Sequence, residues 1–278
     1  MLRLLNIELH KLRYSRSAKI LIITYFILIT FIALIASIEF NLGQLHFRVA
    51  DQGIFNFPFI WHFNSYIAAN LKLFLAIVIV SMMSNEYSNR TLKQNLIDGL
   101  SKWEFVLSKF LTVVVFALFS TLFLFAVSII LGFSFSDFTE ISIVFSDMVY
   151  LFAYFIKLMG FFAFCLFLGI LVKRSAFALG FLFIWWILES ILYGFLKWRI
   201  FRDTNFADNI MQFFPLTAMS NLVIEPFSRL SVIKTAASQL GSEIDKDYGV
   251  HWYQLLIVLC WTVLFLFFSY KLLKKRDL

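Results

Sequence analysis

SNEYSNRTLKQNLIDGLSKWEF, residues Ser84 to Phe105, is a polar island between two long apolar runs. Elsewhere the chain is dominated by lipid-compatible side chains: 61% of its 278 residues are hydrophobic and 15% charged, where soluble domains carry about 25% charged residues. Apolar runs long enough to cross a bilayer recur from the N-terminal third to the C-terminus, which excludes one soluble core. Lipid satisfies no backbone polar group, and the alternation of an outer-membrane barrel is missing, so the runs read as helices. The expected fold is an all-α integral membrane protein, a single transmembrane domain over residues 1–278 with six spans near 19–38, 66–83, 105–132, 148–172, 176–197 and 252–273. The first apolar run has the basic front of a signal peptide, but it is too long and lacks a small-x-small cleavage site, so it is expected to stay as a span.

Charge sets the orientation. Arg3, Lys11, Arg13, Arg16 and Lys19 precede the first span, and Arg90, Lys93, Lys102 and Lys109 fall in the second connection. Lys173 and Arg174 mark the fourth, and Lys271, Lys274, Lys275 and Arg276 follow the last span. All these segments lie on one side, so both termini are expected to be cytoplasmic. The basic balance, +7 at neutral pH, therefore reflects membrane topology and does not call for a nucleic-acid partner.

Three segments lie outside the spans. Residues 1–17 form an amphipathic helix with Leu2, Leu5, Leu9 and Leu12 on one face and Arg3, His10 and Lys11 turned away, the pattern of an interfacial helix. The first outer loop, Glu39 to Ser65, is rich in Phe and Trp and is expected to lie along the interface. The outer loop over residues 198–251 is too long for a passive connector, and SRLSVIKTAASQL (Ser228 to Leu240), ending near Gly241, is its best helix candidate.

The polar island over residues 84–104 has its own grammar. Tyr87, Leu92 and Leu96 recur at helical spacing, Gly99 follows where a helix end favours glycine, and SKWE (Ser101 to Glu104) has the form of a capping box. The reading is a short cytoplasmic helix across the membrane face, with the next span starting at Ser101. A solvated turn is the plain alternative, but adjacent spans need only a few connecting residues, as KRS shows in the fourth connection.

NEYSNRTLKQNLIDGLSKWEFVLSKF resembles the ABC-2 class of ABC-transporter permeases. That family places a Glu at the end of helix two, Thr-Leu five residues on, paired leucines, a Ser/Arg-type turn and a Lys entering helix three. Glu86, Thr91, Leu92, Leu96, Ser101 and Lys109 occupy those positions. The opening NIELHKLRYSR, with Glu8 and Lys11, is similar to the family's interfacial helix; DGLS stands where the family often has a proline turn. The resemblance implies an exporter subunit in a bacterial cytoplasmic membrane. It also implies a second permease chain, identical or related, and an ABC ATPase subunit docked on a coupling region containing Glu86, Arg90, Thr91, Leu92 and Leu96. The chain has no G-x-x-x-x-G-K-[ST], so ATP is expected on the partner; no cofactor and no enzyme activity are expected in this chain.

Other constellations are weak. His10, His46, His62 and His251 lack metal-ligand spacing, and Cys165 and Cys260, both in apolar runs, read as small buried residues. Trp185 and Trp186 lie deep in the fifth span, where packing or substrate contact would suit them. Lys72 sits near an outer helix end and can snorkel. Lys157 and Glu189 lie well inside spans four and five, at similar depth on antiparallel neighbours, and are expected to form an intramembrane pair. A self-sufficient ion-coupled carrier or intramembrane enzyme is the alternative function. It would need several midplane polar groups or broken helices, of which the sequence offers few.

Overall fold

The computed structural model describes residues 2–37, 39–42, 45–48, 53–202, 206–239 and 246–276. Helix α1 (Leu2–Tyr14) and α2 (Arg16–Ser37) meet at 88°. Strands β1 (Glu39–Leu42) and β2 (Leu45–Arg48) form an antiparallel hairpin in register Glu39↔Arg48. Then come α3 (Phe59–Asn70), α4 (Leu73–Ser88), α5 (Thr91–Ile97), α6 (Lys102–Phe135), α7 (Ile141–Val144), α8 (Val149–Val172) and α9 (Ser175–Phe195). A π turn over Leu196–Ile200 leads to α10 (Phe206–Met211), α11 (Pro215–Asn221), α12 (Ser231–Gln239) and α13 (Trp252–Lys275).

Among the described residues four helices are long and apolar enough to cross a membrane, and two bent pairs, α1 with α2 and α3 with α4, raise the number to as many as six. Helix α8 is the centre: 72% of its most apolar window is buried inside the protein, against 17% for α9 and 22% for α13. It contacts α3, α4, α6, α9, α11 and α13. Gly160 on α8 faces Val258 of α13 closely enough that a Cβ would lie 2.7 Å from Val258 Cγ1, so the small residue sets how near the two helices come. Mid-bundle, Tyr25, Ser120 and Tyr154 join α2, α6 and α8 by hydroxyl contacts of 2.5, 2.6 and 2.8 Å, satisfying three polar groups where lipid would satisfy none.

Several boundaries depart from the sequence reading. In place of one span near 66–83 there are two helices, with α3 starting at Phe59 and α3 and α4 bent by 45° at Leu71–Lys72. The first part of α3, residues 59–65, reads as a loop in sequence because it contains His62, Asn64 and Ser65. All three are buried against protein, not lipid, and two find partners: His62 Nε2 meets the Ile224 carbonyl at 2.8 Å, and Asn64 donates to Ser128 Oγ at 2.9 Å. The long connection over residues 198–251 carries α10, α11 and α12. The expected helix there is α12, while its expected end at Leu240 and Gly241 lies outside the described residues. Cys165 is buried, but Cys260 faces outward from α13 and is not a core residue. Among the described residues no group of three His, Cys, Asp or Glu side chains is placed to hold a metal ion.

Candidate functional site

The polar island folds by local rules. Helix α4 ends at Ser88, and Arg90, at φ 57°, turns the chain through the left-handed region into α5. The far end of α5 is a Schellman motif: Gly99 at φ 96° donates to Leu96, and Leu100 donates to Asn95. Ser101 then caps α6. Its hydroxyl accepts from Glu104 N at 3.2 Å, and Glu104 accepts from Ser101 N at 3.0 Å.

What holds α5 against the bundle is a charge cluster. Lys109 of α6 is fully buried, and its ammonium lies 2.5 Å from Glu86 of α4 and 2.6 Å from Glu8 of α1. Lys11 reaches the same two carboxylates at 2.8 and 3.3 Å, and Thr91, the first residue of α5, donates to Glu86 at 2.5 Å. Two cations and two carboxylates balance formally. Burying them costs solvation that their attraction offsets only when every partner is in place, so the value of the cluster is positional. It fixes α1, α4, α5 and α6 in one arrangement. A crevice of about 420 Å³ adjoins it, lined by Glu8, Lys11, Ser15, Ser81, Asn85 and Glu86 among others.

The C-terminus closes the same end of the molecule. Arg276 donates to the carbonyls of Ile170 and Leu171 at 2.5 and 2.8 Å and to Tyr87 Oη at 3.1 Å. Lys102 donates to the Arg276 carbonyl at 2.9 Å. Ser84 accepts from Ser175 N and donates to the Lys173 carbonyl, tying α4 to the turn between α8 and α9.

The structure divides the residues that the sequence groups together. Glu86 and Leu92 are buried, at 4% and 2% exposure, and Thr91 and Leu96 are partly buried. These four hold α5 to the protein and do not face outward. Arg90 is exposed, and so are Lys93, Gln94, Asp98 and Ile97, the last at 74%. Lys11, expected to turn away from the apolar face of α1, bends back to Glu86. The cluster itself was not read from the sequence; the signal for it was a lysine, Lys109, already inside an apolar run and in need of a counter-charge.

The expected Lys157–Glu189 pair does not form. Glu189 accepts from Leu216 N at 3.1 Å, Thr217 N at 2.8 Å, Thr217 Oγ1 at 2.9 Å and Trp185 Nε1 at 2.7 Å. Lys157 donates to the carbonyls of Ser220 and Val223 at 3.3 and 3.2 Å. The physical reason is that α11, folded inward from the long connection between α9 and α13, offers each charge the helix end of opposite sign. The tryptophan pair also divides: Trp185 packs on Phe164 and orients Glu189, whereas Trp186 is 55% exposed.

Compared with curated proteins, the chain matches none. Residues 51–272, most of the chain, match the family model described as ABC-2 family transporter protein. That match runs from the approach to α3 almost to the end of α13, so it takes in the bent α3–α4 pair, α5 and the inward-folded α11 together, and the chain belongs to the ABC-2 family of transporters as a membrane-spanning permease.

Proposed function

We propose that this chain is the permease subunit of an ATP-driven exporter in a bacterial cytoplasmic membrane. It forms one six-span domain with both termini in the cytoplasm, pairs with a second permease chain, identical or related, and takes its energy from a separate ABC ATPase subunit docked on α5. One observation carries the docking part of this reading. A seven-residue helix is pinned from behind by Glu86, Thr91 and Leu92 and presents Arg90, Lys93, Gln94 and Ile97 outward. An apolar residue rimmed by polar ones on a rigid platform is the form of a protein contact. The basic residues around α1, in the connection from α4 to α6, at the turn between α8 and α9 and at the end of α13 support the orientation. An ion-coupled carrier is not favoured, because its two candidate charges, Lys157 and Glu189, are engaged by the backbone of α11.

The test is a photocrosslinking amino acid at Ile97, in membranes holding the chain and its cognate ATPase. Crosslinking from position 97 to the ATPase, with none from Ile130 on the lipid-exposed face of α6, is the expected outcome. An active complex that gives no ATPase crosslink from position 97 refutes the docking assignment.

A further inference from the structure

A cavity of about 880 Å³ lies between the α3–α4 break, α8, α9 and the inward-folded α10–α11 segment. Its size is in the upper part of the range of small-molecule sites, about 300–1,000 Å³. Its walls are of two kinds. Phe161, Leu179, Leu182, Phe183 and Trp186 make an apolar flank along α8 and α9, and Leu73, Phe183 and Trp186 are exposed where the cavity reaches the surface. Polar atoms come from Asn70, Lys72, Ser190, Thr217, Ser220 and Asn221.

The charges lining the cavity are unequal. Glu189 is saturated by the four hydrogen bonds it accepts, and Asp208 accepts from Tyr193 at 2.7 Å and lies 3.5 Å from Lys197. Lys72 has no carboxylate. Its ammonium sits 4.4 Å from the centre of the Phe161 ring and close enough to Cys165 and Lys157 to interact electrostatically with both, and among the described residues it makes no hydrogen bond or ion pair. Lys72 is fourteen residues before Glu86, about 21 Å along the helix from the charge cluster, and so lies in the half of the bundle away from the termini. An ammonium at that depth, beside an aromatic ring and a second buried lysine and with no acceptor of its own, is left with unused hydrogen-bond donors.

We propose that this cavity binds a single-chain or diacyl amphiphile with an anionic head, a phosphate or carboxylate, placed on Lys72 with its chain against Phe183 and Trp186. The proposal takes its meaning from the permease reading, since it names the class of molecule the permease would handle, but its test involves neither ATP hydrolysis nor transport.

The detergent-purified full chain is titrated, by native mass spectrometry, with three palmitoyl probes: lysophosphatidylglycerol, palmitate and uncharged monopalmitoylglycerol. One equivalent of an anionic probe is expected to bind at least about tenfold more tightly than the neutral one, the scale of one charge-assisted hydrogen bond. The tighter of the two anionic probes identifies the head as a lipid phosphate or a free carboxylate. K72M is expected to lose the preference and K72R to keep it, and I77W, which narrows the cavity while leaving Lys72 in place, to lose binding of all three. Equal binding of the neutral probe, an unchanged preference in K72M, or full binding by I77W overturns the proposal. If K72M does not fold, the comparison of K72R with I77W decides. A failure of the exporter reading would appear in the Ile97 crosslinking and leave these affinities unchanged.

Discussion

Glu189 and Lys157 hold opposite ends of one seven-residue helix. The carboxylate takes the Leu216 and Thr217 amides in the first turn of α11, and the ammonium takes the Ser220 and Val223 carbonyls at its end. Each charge complements the partial charge of the helix end it meets. Two buried charges that would each be costly alone are satisfied through a shared backbone element, and a segment of the connection between α9 and α13 is thereby fixed inside the bundle.

This arrangement distinguishes itself from a direct ion pair by charge exchange. E189Q should destabilise the protein by about 2–3 kcal/mol through loss of charged hydrogen bonds, and K157M should be comparably harmful. The swap K157E/E189K would preserve a direct pair but places both charges at the wrong helix ends, so it should be worse than either single change. Thermal unfolding in detergent reads the order. A swap as stable as the wild type would restore the direct pair.

In the charge cluster, Lys109 is the member whose loss should cost most. K109M leaves the buried Glu8 and Glu86 carboxylates with only the half-exposed Lys11 to balance two charges, a change worth about 3–5 kcal/mol. K109M/E86Q removes one of the two charges and should regain part of that loss. Lys11 is 42% exposed, and K11A should cost under about 1 kcal/mol. Folded yield and melting temperature of the four proteins check this; equal effects of K109M and K11A would contradict it.

Much of this was legible where the determinants are local. Ser101 and Glu104 are three residues apart and Gly99 stands two residues before Ser101, so the end of α5 and the start of α6 can be read directly. The charge cluster draws on Glu8, Glu86 and Lys109, and nothing in the sequence states which carboxylates a lysine so far along the chain will meet. Helix α3 was hidden for a different reason: hydropathy measures affinity for lipid, and His62 and Asn64 face Ile224 and Ser128 instead. Lys157 and Glu189 were recognised as buried charges, but the partner they share lies in a loop whose inward fold no periodicity announces.

Gly160 provides a packing test. A Cβ would approach Val258 Cγ1 at 2.7 Å and Met219 Cε at 3.2 Å, so G160A must push α8 away from α13 or α11. A cost of about 1–3 kcal/mol is expected for such overpacking. Gly180 on α9 has no atom within 4 Å of its would-be Cβ, and G180A should be neutral or slightly stabilising, since alanine is the better helix former. Melting temperatures in detergent compare the two; a harmless G160A would mean that the α8–α13 approach is looser than described.

The two faces of α5 should fail in different ways when charged. Leu92 is 2% exposed and packs inward, so L92D buries an unpaired carboxylate and should lower folded yield before any question of coupling arises. Ile97 is 74% exposed and its side chain is not needed to hold the helix, so I97D should insert and melt like the wild type. If α5 is the ATPase platform, I97D and the K93E/I97D double variant should lower transport-coupled ATP hydrolysis at least about tenfold, the scale expected for a contact at the centre of an interface. Yield and melting temperature measure the first effect, and ATPase activity of the reconstituted complex measures the second. If I97D couples normally, the outward face of α5 is not the platform. If L92D folds normally, the inward face does not pin it. The two results are independent, so the anchoring of α5 and its proposed use stand or fall separately.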